Sequence, residues 1–241
     1  MRYGIFSDIH GNLEALEAVV ADLRGQAPDA LLCLGDIAGY NADPQACLRL
    51  VRHLGATVVR GNHDQETASD APVSYANPMA KEGILHSRRR LDAGERAWLG
   101  ALPYMEKVGG FALVHASLAA PERWPYVTAP EQAARSFAAQ ETPLAFFGHT
   151  HVPHLFAEAG GKVAEHVYSK VTLDPAKRYF VNVGSIGQPR DGDWRAAYVI
   201  YDDVARSLEL RRVPYDIAAA QAKIRAAGLP ESLALRLSQA R

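Results

Sequence analysis

Cysteine is scarce: Cys33 and Cys47 are the only two among 241 residues, too few for the thiolate set of a structural zinc knuckle. They fall in an apolar strand and in an expected helix. Their separation does not exclude a disulfide, but nothing reads as a secretory signal, so buried reduced thiols are the expectation. A long apolar run is missing too, and with it any candidate membrane span. Charge of one sign is absent: the formal net charge is −1, which gives no global reason to expect nucleic acid or an anionic membrane as partner. The first strand begins at Arg2 with no basic region and apolar core before it, so export is not expected and a cytoplasmic location is. No internal repeat or low-complexity linker interrupts the chain. Its length suits one large domain with a well-buried core and is marginal for two small ones, so one domain over 1–241 is expected.

What the sequence does contain is alternation. RYGIF, ALLCL, ATVV, FALV and LAFF, beginning at Arg2, Ala30, Ala56, Phe111 and Leu144, are short apolar runs. Their β-branched and aromatic content and glycine punctuation favour strand over buried helix. Helix patterns lie between the first three, a βαβαβ arrangement. Leu13, Leu16, Val20 and Leu23 form one apolar stripe, with Asn12 as N-cap and Gly25 as C-terminal stop. A second helix starts near Pro44, after Asp43, and runs to about His53. Residues 65–110 break the alternation and read as a helical insertion over the sheet edge. They hold an irregular stretch with Pro72 and Pro78, a helix from Pro78 to about Leu91, and another opened by an Asp92–Glu95 capping box and ending before Pro103. Short strands and turns follow from about 152 to 212, including RYFVNV and RAAYVIYD, and a helical tail over about 216–241 is broken at Gly228-Leu229-Pro230.

Each of the five apolar runs delivers metal-suited side chains at its end. The clusters are Asp8-Ile9-His10, Gly35-Asp36, Gly61-Asn62-His63-Asp64, His115, and Gly148-His149-Thr150-His151. In an open α/β sheet, ligands sit outside the carboxyl ends of the strands, so the five clusters would converge on one polyvalent site. Side chains alternate in extended chain, so Asp8 and His10 can point the same way, as can His149 and His151. Carboxylates with imidazoles suit a first-row divalent ion. Asp8, His10, Asp36, Asn62, His115, His149 and His151 are more ligands than one tetrahedral ion can use. Two ions sharing a bridging carboxylate would use them all, with Asp36, alone in its cluster, as the natural bridge. Ions roughly 3.5–4 Å apart clamp the attacking and leaving oxygens of a phosphoryl displacement and generate hydroxide at neutral pH.

These motifs, in this order and spacing, resemble those of the calcineurin-like metallophosphoesterase superfamily: D-x-H, G-D, G-N-H-D, a lone His after a strand, and G-H-x-H, over residues 8–151. Any one is weak and five in order are strong. The later N-V-G-S-I-G-Q-P-R stretch, residues 182–190, resembles the closing loop of its small bacterial phosphodiesterase branch. The resemblance implies an α/β (α+β) fold of two packed mixed β-sheets flanked by helices, a four-layer sandwich. By position it assigns Asp8, His10, Asp36 and His151 to one metal, and Asp36, Asn62, His115 and His149 to the other. It assigns His63 to the substrate, protonating the leaving oxygen or stabilising the charged phosphoryl group. Manganese leads iron, cobalt, nickel and zinc as the expected metal. The protein serine/threonine phosphatases extend the second motif to G-D-x-V-D-R-G, where the extra Asp orients the catalytic His and the Arg binds phosphate. Gly39 and Tyr40 stand at those positions here. That departure disfavours a protein phosphatase, or a symmetrical dinucleoside tetraphosphatase of that branch, and leaves open what orients His63, Asp64 being adjacent only in sequence.

The expected activity is hydrolysis of a small phosphate ester, a diester first, with a nucleotide among the candidate substrates. The alternatives are a phosphomonoesterase or nucleotide phosphatase on the same centre, or a non-catalytic protein-binding scaffold such as the retromer subunit of this fold. The scaffold lacks the His of G-N-H-D, which His63 supplies here; metal-dependent amide hydrolysis is more distant, since barrel amidohydrolases open with H-x-H and lack G-N-H-D. Arg190 could reach a phosphate through bidentate contacts, as could Arg123. His53, His86, His154 and His166 read as structural or surface residues, Arg88-Arg89-Arg90 as a solvated helix end, and Tyr40, Trp124 and Trp194 as packing or rim residues.

Overall fold

The computed structural model describes residues 1–73 and 77–241. The chain opens with β1 (Arg2–Phe6), α1 (Leu13–Gln26), β2 (Ala30–Cys33), α2 (Pro44–His53) and β3 (Thr57–Val58). Next come α3 (Asn62–Ala68), α4 (Pro78–Arg90), α5 (Ala93–Ala101), β4 (Met105–Val108), β5 (Phe111–Val114), α6 (Pro130–Ala139) and β6 (Leu144–Phe147). The remainder is β7 (Leu155–Ala159), β8 (Lys162–His166), β9 (Lys170–Thr172), β10 (Arg178–Asn182), β11 (Ala196–Asp202), β12 (Ser207–Val213), α7 (Ile217–Ala226) and α8 (Glu231–Gln239). The strands form two mixed six-stranded sheets, in the orders β3-β2-β1-β11-β12-β9 and β4-β5-β6-β10-β7-β8. Parallel pairing joins β3, β2 and β1 in the first sheet, and β5, β6 and β10 in the second.

Period-2 alternation sets the layering. Along β1, Tyr3 and Ile5 enter the core between the sheets, while Phe6 faces the helices. Along β5 and β6, Phe111, Leu113, Leu144 and Phe146 face the other sheet, while Ala112, Val114, Ala145 and Phe147 face α6. Tyr198 and Ile200 of β11 pack under α1 and α2, and Val199 and Tyr201 point between the sheets. The result is a helix–sheet–sheet–helix sandwich. The two parallel halves direct β1, β2, β5 and β6 to one end, where the motif loops emerge. Cys33 and Cys47 are buried free thiols. Among the described residues no helix is long and apolar enough to cross a membrane.

Several local expectations are met and others corrected. Asn12 caps α1 by accepting from Ala15 N (3.1 Å), and Asp92 and Glu95 form the reciprocal capping box of α5. Gly25 does not stop α1: the helix continues to Gln26, and Ala27 takes the left-handed position at φ 44° before Pro28. The run ATVV pairs only over Thr57–Val58. Within 65–110, helices α4 and α5 appear, but Met105–Val108 is a strand paired antiparallel with β5, a register signal too short and too exposed to read by periodicity. Residues 74–76 of the stretch read as irregular lie outside the described residues. The tail forms the α7–α8 hairpin, which packs Ile224, Leu233 and Leu237 against Tyr40 and Ala80.

Phe147 is fully buried and stacks on Phe180 with ring centroids 4.0 Å apart. Phe147→Ala should therefore destabilise the protein by about 3–5 kcal/mol, measured by urea denaturation. A loss near zero would mean the second sheet does not depend on α6 packing as described.

Candidate metal centre

The first loop after β1 reaches the site through unusual backbone. Asp8 and His10 have φ of 54° and 51°, and Asp36, His149 and His151 have 55°, 66° and 63°. Strand alternation therefore does not co-orient the paired residues; left-handed backbone at both members of each pair does. Asp and His tolerate this region better than most side chains, yet each such residue costs on the order of 1–3 kcal/mol. Hydrogen bonds between loops hold it in place. Asp8 N donates to Gly35 O (3.0 Å), His10 N to Asp36 O (2.9 Å) and Gly148 N to His115 O (2.9 Å). The 182–190 stretch clamps the first loop from the other side: Ile186 N donates to Ser7 O, and Gly187 N and Ser185 Oγ both donate to Asp8 O.

Each buried carboxylate divides its oxygens. Asp8 Oδ2 accepts from His149 N (2.9 Å), while Oδ1 lies 3.2 Å from His151 Nε2 and 3.7 Å from His10 Nε2. Asp36 Oδ1 accepts from His63 N (2.8 Å), while Oδ2 lies 3.6 Å from His10 Nε2 and 3.4 Å from His115 Nε2. Gly61 makes this possible: a Cβ there would lie 2.0 Å from Asp36 Oδ1. The imidazoles are oriented by carbonyls that only accept. Nδ1 of His10 faces Ala38 O (3.1 Å), Nδ1 of His115 faces Leu34 O (2.7 Å), and Nδ1 of His151 faces Gln188 O (2.6 Å). The Nδ1 proton is thereby used outside the cluster and the Nε2 lone pair is aimed into it.

That arrangement brings acceptor against acceptor. His10 Nε2 and His151 Nε2 stand 3.0 Å apart, and His115 Nε2 stands 3.0 Å from Asn62 Oδ1. Asp8 Oδ1 and His149 Nε2 are buried with no hydrogen-bond partner among the described residues. Such contacts need a positive charge between them, so the donor set fits divalent cations. The ligating atoms of Asp8, His10 and His151 lie within 4.8 Å of one another, as do those of Asp36, His115 and His149. All seven sequence-chosen positions thus converge, with Asp36 Oδ2 between the two groups. Asp36 also groups with His10 and His63.

Electrostatics agree with a cation-seeking cluster. Burial would raise Asp8, but the imidazoles of His151, His10 and His115 hold it well below the usual carboxylate range. Burial likewise opposes the shift of Asp36, yet His115 and His63 hold it ionised. Burial would lower His115, but Asp36 and Asp8 outweigh it and raise the imidazole to about 9. Burial drives His149 down to about 4 and, with Arg190, His151 down to about 3. His63 is also lowered, chiefly by burial.

His63 begins the second residue of α3 and lies over glycine. Its ring centroid is 4.6 Å from that of Tyr40 and 4.8 Å from that of His10. A Cβ on Gly39, at φ 97°, would lie 2.3 Å from His63 Nδ1. Asp64 does not orient this ring. Its Oδ2 accepts from Asp36 N (2.7 Å) and Gly61 N (3.2 Å), and its Oδ1 from Ile37 N (2.9 Å) and Ala38 N (3.1 Å). Burial and the Asp36 charge push Asp64 up to about 7 against those four amides. Asp64 shapes the loop that presents Asp36, a role invisible in the sequence because its partners are backbone groups.

Above the cluster lies a cleft of about 600 Å³. Tyr40, His63, Arg123, Trp124, Tyr126 and Arg190 are among its lining residues. Tyr126, not singled out by sequence, is 54% exposed and packs its ring 4.2 Å from that of His149. Tyr40 and Trp124 are wall residues, and Trp194 packs against Tyr215. The remaining histidines stay outside: His86 faces Ala42 O, His154 pairs with Glu165, and His53 and His166 are exposed. Arg88 is not solvated as expected; it donates to Glu66 O and Ala71 O, while Arg89 and Arg90 are exposed.

Residues 1–204 match the family model described as the calcineurin-like phosphoesterase superfamily domain. An uncharacterized protein of Methanocaldococcus jannaschii is 37% identical over 237 residues, covering 97% of this chain and 96% of that protein. The crystal structure of a metallophosphoesterase from Sphaerobacter thermophilus superposes with a TM-score of 0.89 at 41% identity, covering 100% of this chain and 99% of the other. A symmetrical bis(5'-nucleosyl)-tetraphosphatase of Aromatoleum aromaticum is 35% identical over 119 residues, which is 46% of this chain and 42% of that protein.

Two outcomes follow from this geometry. The His115 proton stabilises the metal-free fold fully below its ordinary value of 6.5, and that contribution is lost as pH rises through about 9. A cation taking Nε2 at pH 7.5 must displace the proton, so loading should release about one proton, read by calorimetry in buffers of different ionisation enthalpy. A binding enthalpy independent of buffer would contradict this. Asp64→Asn turns two amide donors against an NH₂ group and should cost on the order of 3 kcal/mol in denaturation and reduce metal content. Unchanged stability with full metal content would remove Asp64 from the scaffold.

Proposed function

The chain belongs to the calcineurin-like phosphoesterase superfamily, and from that premise we propose that it is a metal-dependent phosphodiesterase working at a dinuclear centre. The observation that carries the reading is the pair of three-residue donor groups sharing one buried end of the sandwich beneath an open cleft. Asp8, His10, Asp36 and His151 would hold one ion, and Asp36, Asn62, His115 and His149 the other, Asp36 serving both. Divalent cations there would acidify water and neutralise charge on phosphoryl oxygens. Manganese is the first ion to test; nitrogen and oxygen donors in this mixture also accept iron, cobalt, nickel and zinc.

The protein's own groups do the rest. Carbonyls at Ala38, Leu34 and Gln188 keep three imidazoles from rotating. His63, held over Gly39 and against Tyr40, is the group assigned to substrate, giving a hydrogen bond or proton to the phosphoryl or leaving oxygen. A diester carries two substituents, and the open cleft is lined by aromatic and cationic side chains that could receive them: Tyr40, Trp124, Tyr126 and Arg190. A nucleotide is the substituent favoured by the partial likeness to the symmetrical tetraphosphatases. Gly39 and Tyr40, in place of the Asp and Arg of the extended second motif, argue against the activity of that branch as a whole. The scaffold reading loses ground because His63 and every donor position are filled.

Chelator-stripped protein should not hydrolyse bis-p-nitrophenyl phosphate, and Mn²⁺ should restore turnover in excess over the monoester. His63→Ala should keep its metal while losing about two to four orders of magnitude in turnover. Metal loss in that variant would make His63 a ligand, and a preference for the monoester would replace the diester assignment with a phosphomonoesterase.

A further inference from the structure

Three of the four imidazoles in the donor set are held at Nδ1 by a backbone carbonyl: His10 by Ala38, His115 by Leu34 and His151 by Gln188. His149 is the exception. Among the described residues no carbonyl or carboxylate accepts a hydrogen bond from its ring, and its Nε2 is buried without a partner. Its backbone is fixed, since its N donates to Asp8 Oδ2 (2.9 Å), but that bond does not set the side-chain torsions. A histidine ligand is ordinarily oriented by a group that accepts its second ring proton. His149 has rings in that place. The Tyr126 ring lies in a tilted stack on it, with centroids 4.2 Å apart and an interplanar angle of 30°, and His115 meets it edge-on at 5.1 Å and 66°. His115 belongs to the same donor group, so Tyr126 is the ring contact that comes from outside the donor set.

Tyr126 is 54% exposed, yet the chain on both sides of it is anchored. Pro125 precedes it with a restricted φ. The ring of Trp124 packs 5.7 Å from that of His115 and 5.5 Å from that of Tyr104. On the other side Val127 is buried with Ala133 and Phe137, and Thr128 N donates to Gln132 Oε1 (2.7 Å) in the first turn of α6. A large aromatic ring left half in water adds little to a core, because its contribution there comes from the area it buries. The contact it does make is with a buried imidazole of the cluster.

We propose that Tyr126 is the positioning residue of His149, its ring supplying by stacking the restraint that backbone carbonyls give the other three imidazoles. The ion assigned to Asp36, Asn62, His115 and His149 then depends on a side chain at the rim of the cleft. The assignment rests on the dinuclear reading and deepens it. One loop, from His115 to Tyr126, supplies a donor to that ion and the support of another.

The test titrates chelator-stripped wild type, Tyr126→Ala, Tyr126→Phe and His149→Ala with Mn²⁺ in the absence of substrate, free Mn²⁺ being read by electron paramagnetic resonance. His149→Ala identifies the ion that depends on this imidazole. Tyr126→Ala should weaken the same ion about 10–100-fold, the usual cost of losing a group that orients a ligand, and leave any other ion at its wild-type affinity. Tyr126→Phe keeps the ring and should bind both as wild type does. A merely structural role would weaken both ions alike in Tyr126→Ala, and that result would overturn the proposal. So would an unchanged affinity in Tyr126→Ala, a loss of equal size in Tyr126→Phe, or a wild type with no ion sensitive to His149→Ala. A single ion in wild type would end the dinuclear reading, while its response to His149→Ala and Tyr126→Ala would still decide the role of Tyr126. Hydrolysis of bis-p-nitrophenyl phosphate by Mn²⁺-loaded wild type reports separately on the phosphodiesterase reading, because ion binding is measured without turnover.

Discussion

Two carboxylates, Asp8 and Asp36, are buried at one end of a four-layer sandwich, and among the described residues no lysine or arginine pairs with either. Burying an ionised carboxylate is expensive unless charge or hydrogen bonds compensate it. Backbone amides satisfy one oxygen of each, and imidazole nitrogens face the other. Carbonyls hold Nδ1 of His10, His115 and His151, so that Nε2 of each is turned towards the carboxylates. Everything around the site serves this arrangement, which is incomplete without positive charge at its centre.

The sandwich explains how so polar a cluster can be built. Parallel pairing in both sheets sends β1, β2, β5 and β6 to the same end, so loops distant in sequence arrive side by side. Those loops then bond one another more than they bond water. Asp64 gathers four amides around the Asp36 loop, and the 182–190 stretch ties down both Asp8 and His151. Five of the seven donor residues sit in left-handed backbone. Strain of that size is held by the many cross-loop hydrogen bonds and by cores that are apolar on both faces of each sheet. Stability made in the layers is spent at their edge, where chemistry requires fixed donors.

The cleft and its floor differ in kind. The floor is built of buried carboxylate oxygens and imidazole nitrogens. The cleft above the floor is lined instead by aromatic and cationic side chains, among them Tyr40, Trp124, Tyr126 and Arg190.

The sequence by itself marked five short apolar strands with glycine-bounded ends, and only the resemblance carried by the motifs after them implied the two-sheet sandwich; it also offered the seven residues that meet, since each follows an apolar run. It also placed the caps at Asn12 and Asp92. What only the tertiary structure decided depends on partners far away in the chain or on backbone groups that carry no residue identity. Strand alternation misdescribed how Asp8 and His10 converge, because the left-handed turns there are stabilised by Gly35, Asp36 and Ile37 across the sheet. Asp64 looked like a neighbour for His63 and is a receptor for amides. Arg88 looked solvated and caps carbonyls of another segment. Arg236, one arginine in an Ala- and Leu-rich tail, carries no local mark at all; its place beside the Tyr40 ring follows from the packing of α8 there, which no spacing rule within the tail could state.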